Sequence, residues 1–386
     1  MTRRLYYLDH AAATPVDERV IHRQMPYMTE EFFNPSSPYA PAIDVRRSYE
    51  AAKSEIAACI GAKQDELVMT AGATESINLM FGSVSGHVVS TTIEHKAVLE
   101  AANTHDRTFV APNKKGRIVP ADVTAAVRDN TTLVSVALAN SELGTVQPLR
   151  QIAEQLTNIR IKRRKVGNMT PLIFHTDASQ GAGQIDIHAA RLGVDAMTLN
   201  AGKTYGPKQV GLLWADRTIR LVPHIVGGGQ ERGLRSGTEN VAGVIGFAEA
   251  LTRATSTRVA EAERLRTMRD DMQSRLLAAI PDAVVSGDVK HRLPGYLHIS
   301  FPSVDAERVL FMLEADGILV ATGSACAANK GTRSHVLEAI GLSPEIADGS
   351  LRLTFGKLNS VDDIPYVADK IIAAVRRERE RTATPL

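Results

Sequence analysis

Short apolar runs alternate with amphipathic stretches from about residue 16 to residue 251. The runs at residues 66–70, 87–91, 131–137, 172–175, 196–199 and 210–214 are too short for helices and read as strands. Between them, residues 45–60 and 148–158 repeat their apolar positions at helical spacing. This alternation predicts an α/β fold, a mostly parallel sheet covered by helices on both faces. Residues 258–280, rich in Glu, Arg and Leu at helical spacing, predict a long connecting helix. Beyond it, residues 296–301, 318–321 and 350–355 read as strands, and residues 306–315, 334–340 and 361–379 as helices. The expected division is an N-terminal segment, 1–15, packing with a small α+β domain, 258–386, and a large domain over 16–257.

Length and charge narrow the function classes. At 386 residues the chain exceeds what one core usually serves. Lys plus Arg number 45 against 43 Asp plus Glu, which argues against a broad nucleic-acid surface. No apolar run approaches the roughly 20 residues that cross a bilayer. The start, Met1-Thr2-Arg3-Arg4-Leu5-Tyr6-Tyr7-Leu8-Asp9, lacks the apolar core of a signal peptide. The two cysteines, Cys59 and Cys326, make no disulfide framework, so a reducing cytoplasm is expected. The basic cluster at 160–165 reads as a solvated loop.

Lys203 carries the chemistry. It follows an apolar run and sits in Asn200-Ala201-Gly202-Lys203-Thr204-Tyr205-Gly206, where burial can yield a neutral amine. Gly202-Lys203-Thr204 copies the end of a phosphate loop, but that motif needs a glycine where Met197 stands. The other use of such a lysine is a Schiff base with an aldehyde cofactor. Upstream, Leu172-Ile173-Phe174-His175-Thr176-Asp177 delivers a carboxylate to the end of a strand, where open α/β sheets collect ligands. A carboxylate and a lysine on neighbouring strands can serve the pyridine nitrogen and the aldehyde of pyridoxal phosphate.

Further candidates cluster at other strand ends. Gly72-Ala73-Thr74-Glu75 opens a helix whose amides and Thr74 hydroxyl suit a phosphate, though Thr74 as a simple N-cap is the plainer expectation. His95, in Glu94-His95-Lys96, can stack on a ring and shuttle protons. Asn140 and Gln180 are positioned to contact a ring hydroxyl. Cys326 lies among small and polar residues between Gly323 and Gly331, a composition suited to a mobile loop, with Lys330 and Arg333 favouring a thiolate. Cys59, on an apolar helix, reads as core packing.

Together these segments resemble the cysteine desulfurase family of fold-type-I, class V pyridoxal phosphate enzymes, nearly end to end. The most specific pieces are Gly72-Ala73-Thr74-Glu75-Ser76, Glu94-His95-Lys96, the Asp177 loop, and the stretch from Gly227-Gly228-Gly229-Gln230-Glu231-Arg232 through Ser236-Gly237-Thr238. The resemblance implies a seven-stranded large-domain sheet, Lys203 as the Schiff-base lysine and Asp177 on the pyridine nitrogen. It implies His95 stacked on the ring, contacts from Asn140, Gln180 and Asn200, and phosphate held by Ala73 and Thr74. Thr238 resembles a threonine that reaches the neighbouring subunit's phosphate, which implies a homodimer. Arg352 resembles the residue gripping the substrate carboxylate, a task suited to a planar guanidinium, with Asn140 beside it. Cys326 resembles the sulfur-accepting cysteine of the long-loop group.

The implied reaction takes sulfur from L-cysteine, releases alanine and leaves a persulfide on Cys326 for an acceptor protein, either an iron–sulfur scaffold or a tRNA thiolation factor. A short C-terminal end leaves both acceptors open, and neither membrane nor direct nucleic-acid binding is expected. Selenocysteine lyase, another class V lyase, and a weakly catalytic sulfur-relay scaffold are the alternatives. Departures from the family pattern are Asn200 for a usual serine, Gly202 for a usual histidine, and Ala40 at a usual histidine position. The first two predict weaker phosphate anchoring.

Overall fold

The computed structural model describes residues 4–322 and 333–383. A seven-stranded sheet runs in the order Leu67–Thr70, Gly211–Ala215, Ala196–Asn200, Ile173–Asp177, Thr131–Ser135, His87–Thr91, Asp106–Val110. Every pairing is parallel except the two made by Gly211–Ala215. Four of the inner strands are buried along their whole length or nearly so, as expected where helices cover both faces. The six predicted strands are all present, with ends shifted by a few residues. The seventh, Asp106–Val110, escaped prediction because it is an edge strand with exposed Asp106 and Arg107, so it lacks a continuous apolar run.

The helix expected from residue 258 instead spans Val241–Ala279, starting at Asn240, whose side chain accepts from the Gly243 amide. Its first half shows almost no polar stripe because Val244, Ile245, Phe247, Ala248 and Leu251 are buried in the core of the large sheet. Its second half buries Leu265, Met268, Met272 and Leu276 in a separate cluster with Leu297, Ile299, Leu351 and Leu353. That cluster lies on a three-stranded antiparallel sheet, ordered Ser350–Thr354, Tyr296–Ser300, Val284–Val285. The N-terminal Tyr6–Tyr7 pairs with Ile318–Leu319, and Leu8 is buried in the same cluster.

The basic segment at 160–165 is not a loop. It forms the last turns of the helix Leu149–Lys165, where cations complement the C-terminal dipole. Arg163 is buried and donates to the carbonyls of Arg128, Thr131 and Thr170, so it is part of the framework.

Candidate active site

Strand Ala196–Asn200 runs into a single 3-10 turn, Ala201–Lys203, closed by Asn200 Oδ1 accepting from the Gly202 amide at 3.0 Å. Met197 is buried within the strand, so no phosphate loop can wrap here. The turn aims Lys203 at the N-terminal segment, where Nζ donates to the carbonyls of Ala11 and Ala12, each at 2.7 Å. Burial, then repulsion from Arg352, hold the amine below the usual lysine range, while Asp177 and Asp9 oppose the shift. The amine is thus oriented and easily deprotonated, as a nucleophile requires. Nothing in the sequence pattern pointed to the two alanine carbonyls, because backbone groups leave no residue signature.

One cavity gathers most of the predicted residues. Its wall includes Ala73, Thr74, His95, Asn140, Asp177, Gln180, Asn200 and Lys203. Asp177 ends strand Ile173–Asp177, and its Oδ1 accepts from the Ser179 amide at 3.0 Å. His95 precedes the helix Lys96–Asn103, and its Nδ1 accepts from the Ala97 amide at 3.1 Å, which leaves the other ring nitrogen as proton carrier. Burial lowers its pKa, and Asp177 pulls the other way. Asn140 is buried, its Oδ1 held by the amides of Glu142 and Leu143 and its Nδ2 on the Ile93 carbonyl, so one amide hydrogen is left to give. Gln180 donates to the Ala11 carbonyl at 3.2 Å and accepts from the Tyr296 hydroxyl at 2.5 Å.

The simple N-cap expectation for Thr74 fails. The helix Ala73–Gly82 is capped by Gly72, at φ 145°, and Thr74 lies inside its first turn with an exposed side chain. Gly72 is required at that φ, which is closed to most side chains. The first intrahelical amide bond is from Ser76 to the Gly72 carbonyl, so the amides of residues 73–75 have no protein acceptor among the described residues. Free amides and a free hydroxyl at a helix N-terminus fit a phosphate.

Two predicted residues stand apart from this wall. Thr238 is exposed and does not line the cavity of its own chain. Arg352, on strand Ser350–Thr354, is 4% exposed and pairs with Asp9 at 2.6 Å while donating to the Ser141 carbonyl at 3.1 Å. Among the described residues its buried Nε has no partner. Cys326 lies outside the described residues. The chain on either side of its segment is anchored at the site, because Ala321 bridges to Arg352, Ser334 donates to Glu142, and His335 bonds the Glu94 carbonyl. Cys59 is half-buried against the large core, its thiol 3.7 Å from the Thr252 hydroxyl.

Glu94 was not predicted as more than a neighbour of His95. It is fully buried, and burial pushes its carboxyl up to about 7, aided by the nearby Asp177 charge. Its Oε1 accepts from Thr91 and the Ala137 amide. Asp9 and Tyr296 also belong to the site through Arg352 and Gln180. Each acts through another side chain, which a linear motif does not reveal.

The donor set therefore matches a pyridine ring bearing an aldehyde and a phosphate: Lys203 for the aldehyde, Asp177 for a protonated ring nitrogen, and free amides with Thr74 for the phosphate. Comparison with known proteins agrees. Residues 6–367 match the family model described as aminotransferase class V. The cysteine desulfurase IscS of Dictyoglomus turgidum is 36% identical over 395 residues, covering 99% of this chain and 97% of that protein. The solved structure of a NifS-like protein superposes with a TM-score of 0.88 at 30% identity, covering 97% of this chain and all of the other. The structure described as SspA in complex with cysteine has a TM-score of 0.77 at 32% identity, covering 91% of this chain and 98% of the other.

Proposed function

The chain belongs to the cysteine desulfurase family of class V aminotransferases, which work with pyridoxal 5'-phosphate, and we propose that it takes sulfur from L-cysteine with the following division of labour. The convergence of Lys203, Asp177, His95 and Thr74 on one cavity carries this reading. When bound, the cofactor supplies an electron sink for the carbons of the amino-acid substrate. Lys203 is its attachment point, and its lowered pKa favours the neutral amine needed for exchange with the substrate amine. Asp177 keeps a positive charge on the ring nitrogen. Ala73 and Thr74 hold the phosphate at the helix N-terminus with Asn200 beside them, while Asn140 and Gln180 contact the ring.

Arg352, steadied by Asp9 and Ser141, receives the substrate carboxylate on its guanidinium. Lys203 or His95 removes the α-proton and returns protons to carbon. The Cys326 thiolate attacks the substrate sulfur, the Cβ–S bond breaks, and the sulfur stays on Cys326 as a persulfide while alanine leaves. The anchors at Ala321 and Ser334 support this role, since they hold the segment's two ends beside the cavity.

Exposed Thr238 supports a homodimer in which each subunit completes its partner's phosphate site. We assign the enzyme to the cytoplasm, handing sulfur to an iron–sulfur scaffold or a tRNA thiolation factor. No described helix is long and apolar enough to cross a membrane. The test is Cys326→Ser: the purified variant keeps the visible absorbance of bound cofactor but forms neither sulfide nor alanine from L-cysteine. Full turnover in that variant overturns the assignment.

A further inference from the structure

The family's usual histidine is replaced here by Gly202, and the backbone does not demand a glycine there, since 202 is not among the positive-φ positions. The reason for it is spatial. A Cβ on residue 202 would stand 3.3 Å from Lys208 Cδ and 3.4 Å from Asn200 Oδ1, so a side chain there would have to push the Lys208 stem aside by a few tenths of an ångström. Gly202 and Lys208 both line a cavity that shares Ala73, Thr74, Asn200 and Lys203 with the ring-binding wall and opens to solvent beyond them. Lys208 therefore lines the same cavity as the helix N-terminus that carries the free amides of residues 73–75, with its ammonium resting on the Thr14 carbonyl.

Its surroundings leave that charge without a counter-ion. Lys208 Nζ donates to the Thr14 carbonyl and forms no ion pair among the described residues. The acid on the cavity wall, Glu75, is engaged by Arg235 at 3.0 Å and by the Ala71 amide at 2.7 Å. The geometry of the turn is also built. At Gly211 a Cβ would come within 2.7 Å of Gly72, so the lack of one lets the 206–211 turn close against the helix start. Gln209, next to Lys208, sits at φ 57°, a left-handed conformation that costs about 1 kcal/mol or more for such a residue and that concentrates at ligand sites.

We propose that Lys208 binds the phosphate of the cofactor, and that Gly202 and Lys208 together do the work of the missing histidine. The assignment rests on the pyridoxal phosphate reading above and adds a residue to it. An ammonium serves a phosphate as a point charge on a flexible stem, so it can reach the site from six residues along the chain.

The experiment compares two ligands that differ only in the phosphate. Protein stripped of cofactor is titrated with pyridoxal phosphate and with pyridoxal, following visible absorbance, for the parent, Lys208→Met, Lys208→Arg and Gly202→His/Lys208→Met. Losing one charge-assisted contact predicts that Lys208→Met weakens pyridoxal phosphate binding by about tenfold or more and leaves pyridoxal unchanged. Inorganic phosphate competes with the cofactor in the parent and loses that ability in Lys208→Met. Lys208→Arg retains binding, and the imidazole in the double variant restores it.

Pyridoxal phosphate affinity in Lys208→Met within about twofold of the parent overturns the proposal while leaving the enzyme reading intact. An equal loss for both ligands also overturns it, because Lys208 would then only shape the pocket. Failure of the parent to bind pyridoxal phosphate overturns both readings. Thermal unfolding of the stripped variants checks that they are folded, with Lys208→Gln replacing Lys208→Met if the latter is not.

Discussion

Glu231 is the most informative single position for stability. It lies at 5% side-chain exposure in the loop that leads to Thr238, and Lys53, on helix Ala40–Ile60, meets it at 3.0 Å with 6% exposure. The same carboxylate accepts from the Tyr49 hydroxyl at 2.6 Å and the Met69 amide at 2.8 Å. One buried anion thus joins that helix, strand Leu67–Thr70 and the loop. Glu231 itself is held at φ 46° and Arg232 at φ 60°, a strain that these three contacts offset.

Glu231→Gln keeps the shape and removes the charge, which strands the buried Lys53 ammonium. Breaking a buried pair from one side costs about 3–5 kcal/mol, and we expect about 3 kcal/mol because the amide oxygen still accepts from one donor. The chain has one tryptophan, Trp214, paired across the sheet with Leu67 on the same edge, so its emission reports this region. In urea unfolding followed by Trp214 fluorescence, the midpoint should fall by roughly 0.5–1 M, about 3 kcal/mol divided by the steep urea dependence of a chain this long. Adding Lys53→Met should recover at least half of the loss, because the stranded charge is gone. A Glu231→Gln midpoint equal to the parent's, or no recovery in the double variant, would refute the argument.

Three further outcomes follow from buried groups and close approaches. Glu94, raised to about 7, is neutral in the fold but ionises in the unfolded chain, so its contribution is present below about pH 4.5 and lost as pH rises through 7. Glu94→Gln should flatten the decline of stability between pH 5 and 8 in urea midpoints, and an unchanged slope counts against the assignment. His175, lowered to about 4 by burial, and His298, lowered to about 3, bind protons only when unfolded, so stability present above pH 6.5 is lost as pH falls through that range. Each should cost about 2 kcal/mol by pH 5, and His175→Asn should shallow the acid limb measurably. Gly211→Ala forces a methyl against Gly72 and the Leu199 carbonyl, so it should cost about 1–3 kcal/mol and speed cofactor loss on dialysis; retention equal to the parent's would show that the approach is slack.

The strands most legible in the sequence were the ones buried on both faces, such as His87–Thr91, where every position is apolar or paired. The edge strand Asp106–Val110 and the first half of Val241–Ala279 were not, because one is too polar and the other too uniformly apolar to show a period. The basic run at 160–165 misled for a related reason: charge patterning does not distinguish a solvated loop from a helix end whose Arg163 is turned inward.

Lys203 and Asp177 could be picked out from order and spacing, since a parallel sheet delivers strand ends to one side whatever the side-chain detail, while His95 and Thr74 gained their expected roles from the family resemblance. Their union in one cavity needed no more than that topology. The Ala11 and Ala12 carbonyls, the Asp9–Arg352 pair and the Glu231–Lys53 pair depended on the folded chain, because each joins residues far apart in sequence through backbone groups or single side chains. Gly202 shows the limit best. Read along the chain it is a missing histidine; in three dimensions it is the place against which the Lys208 stem packs.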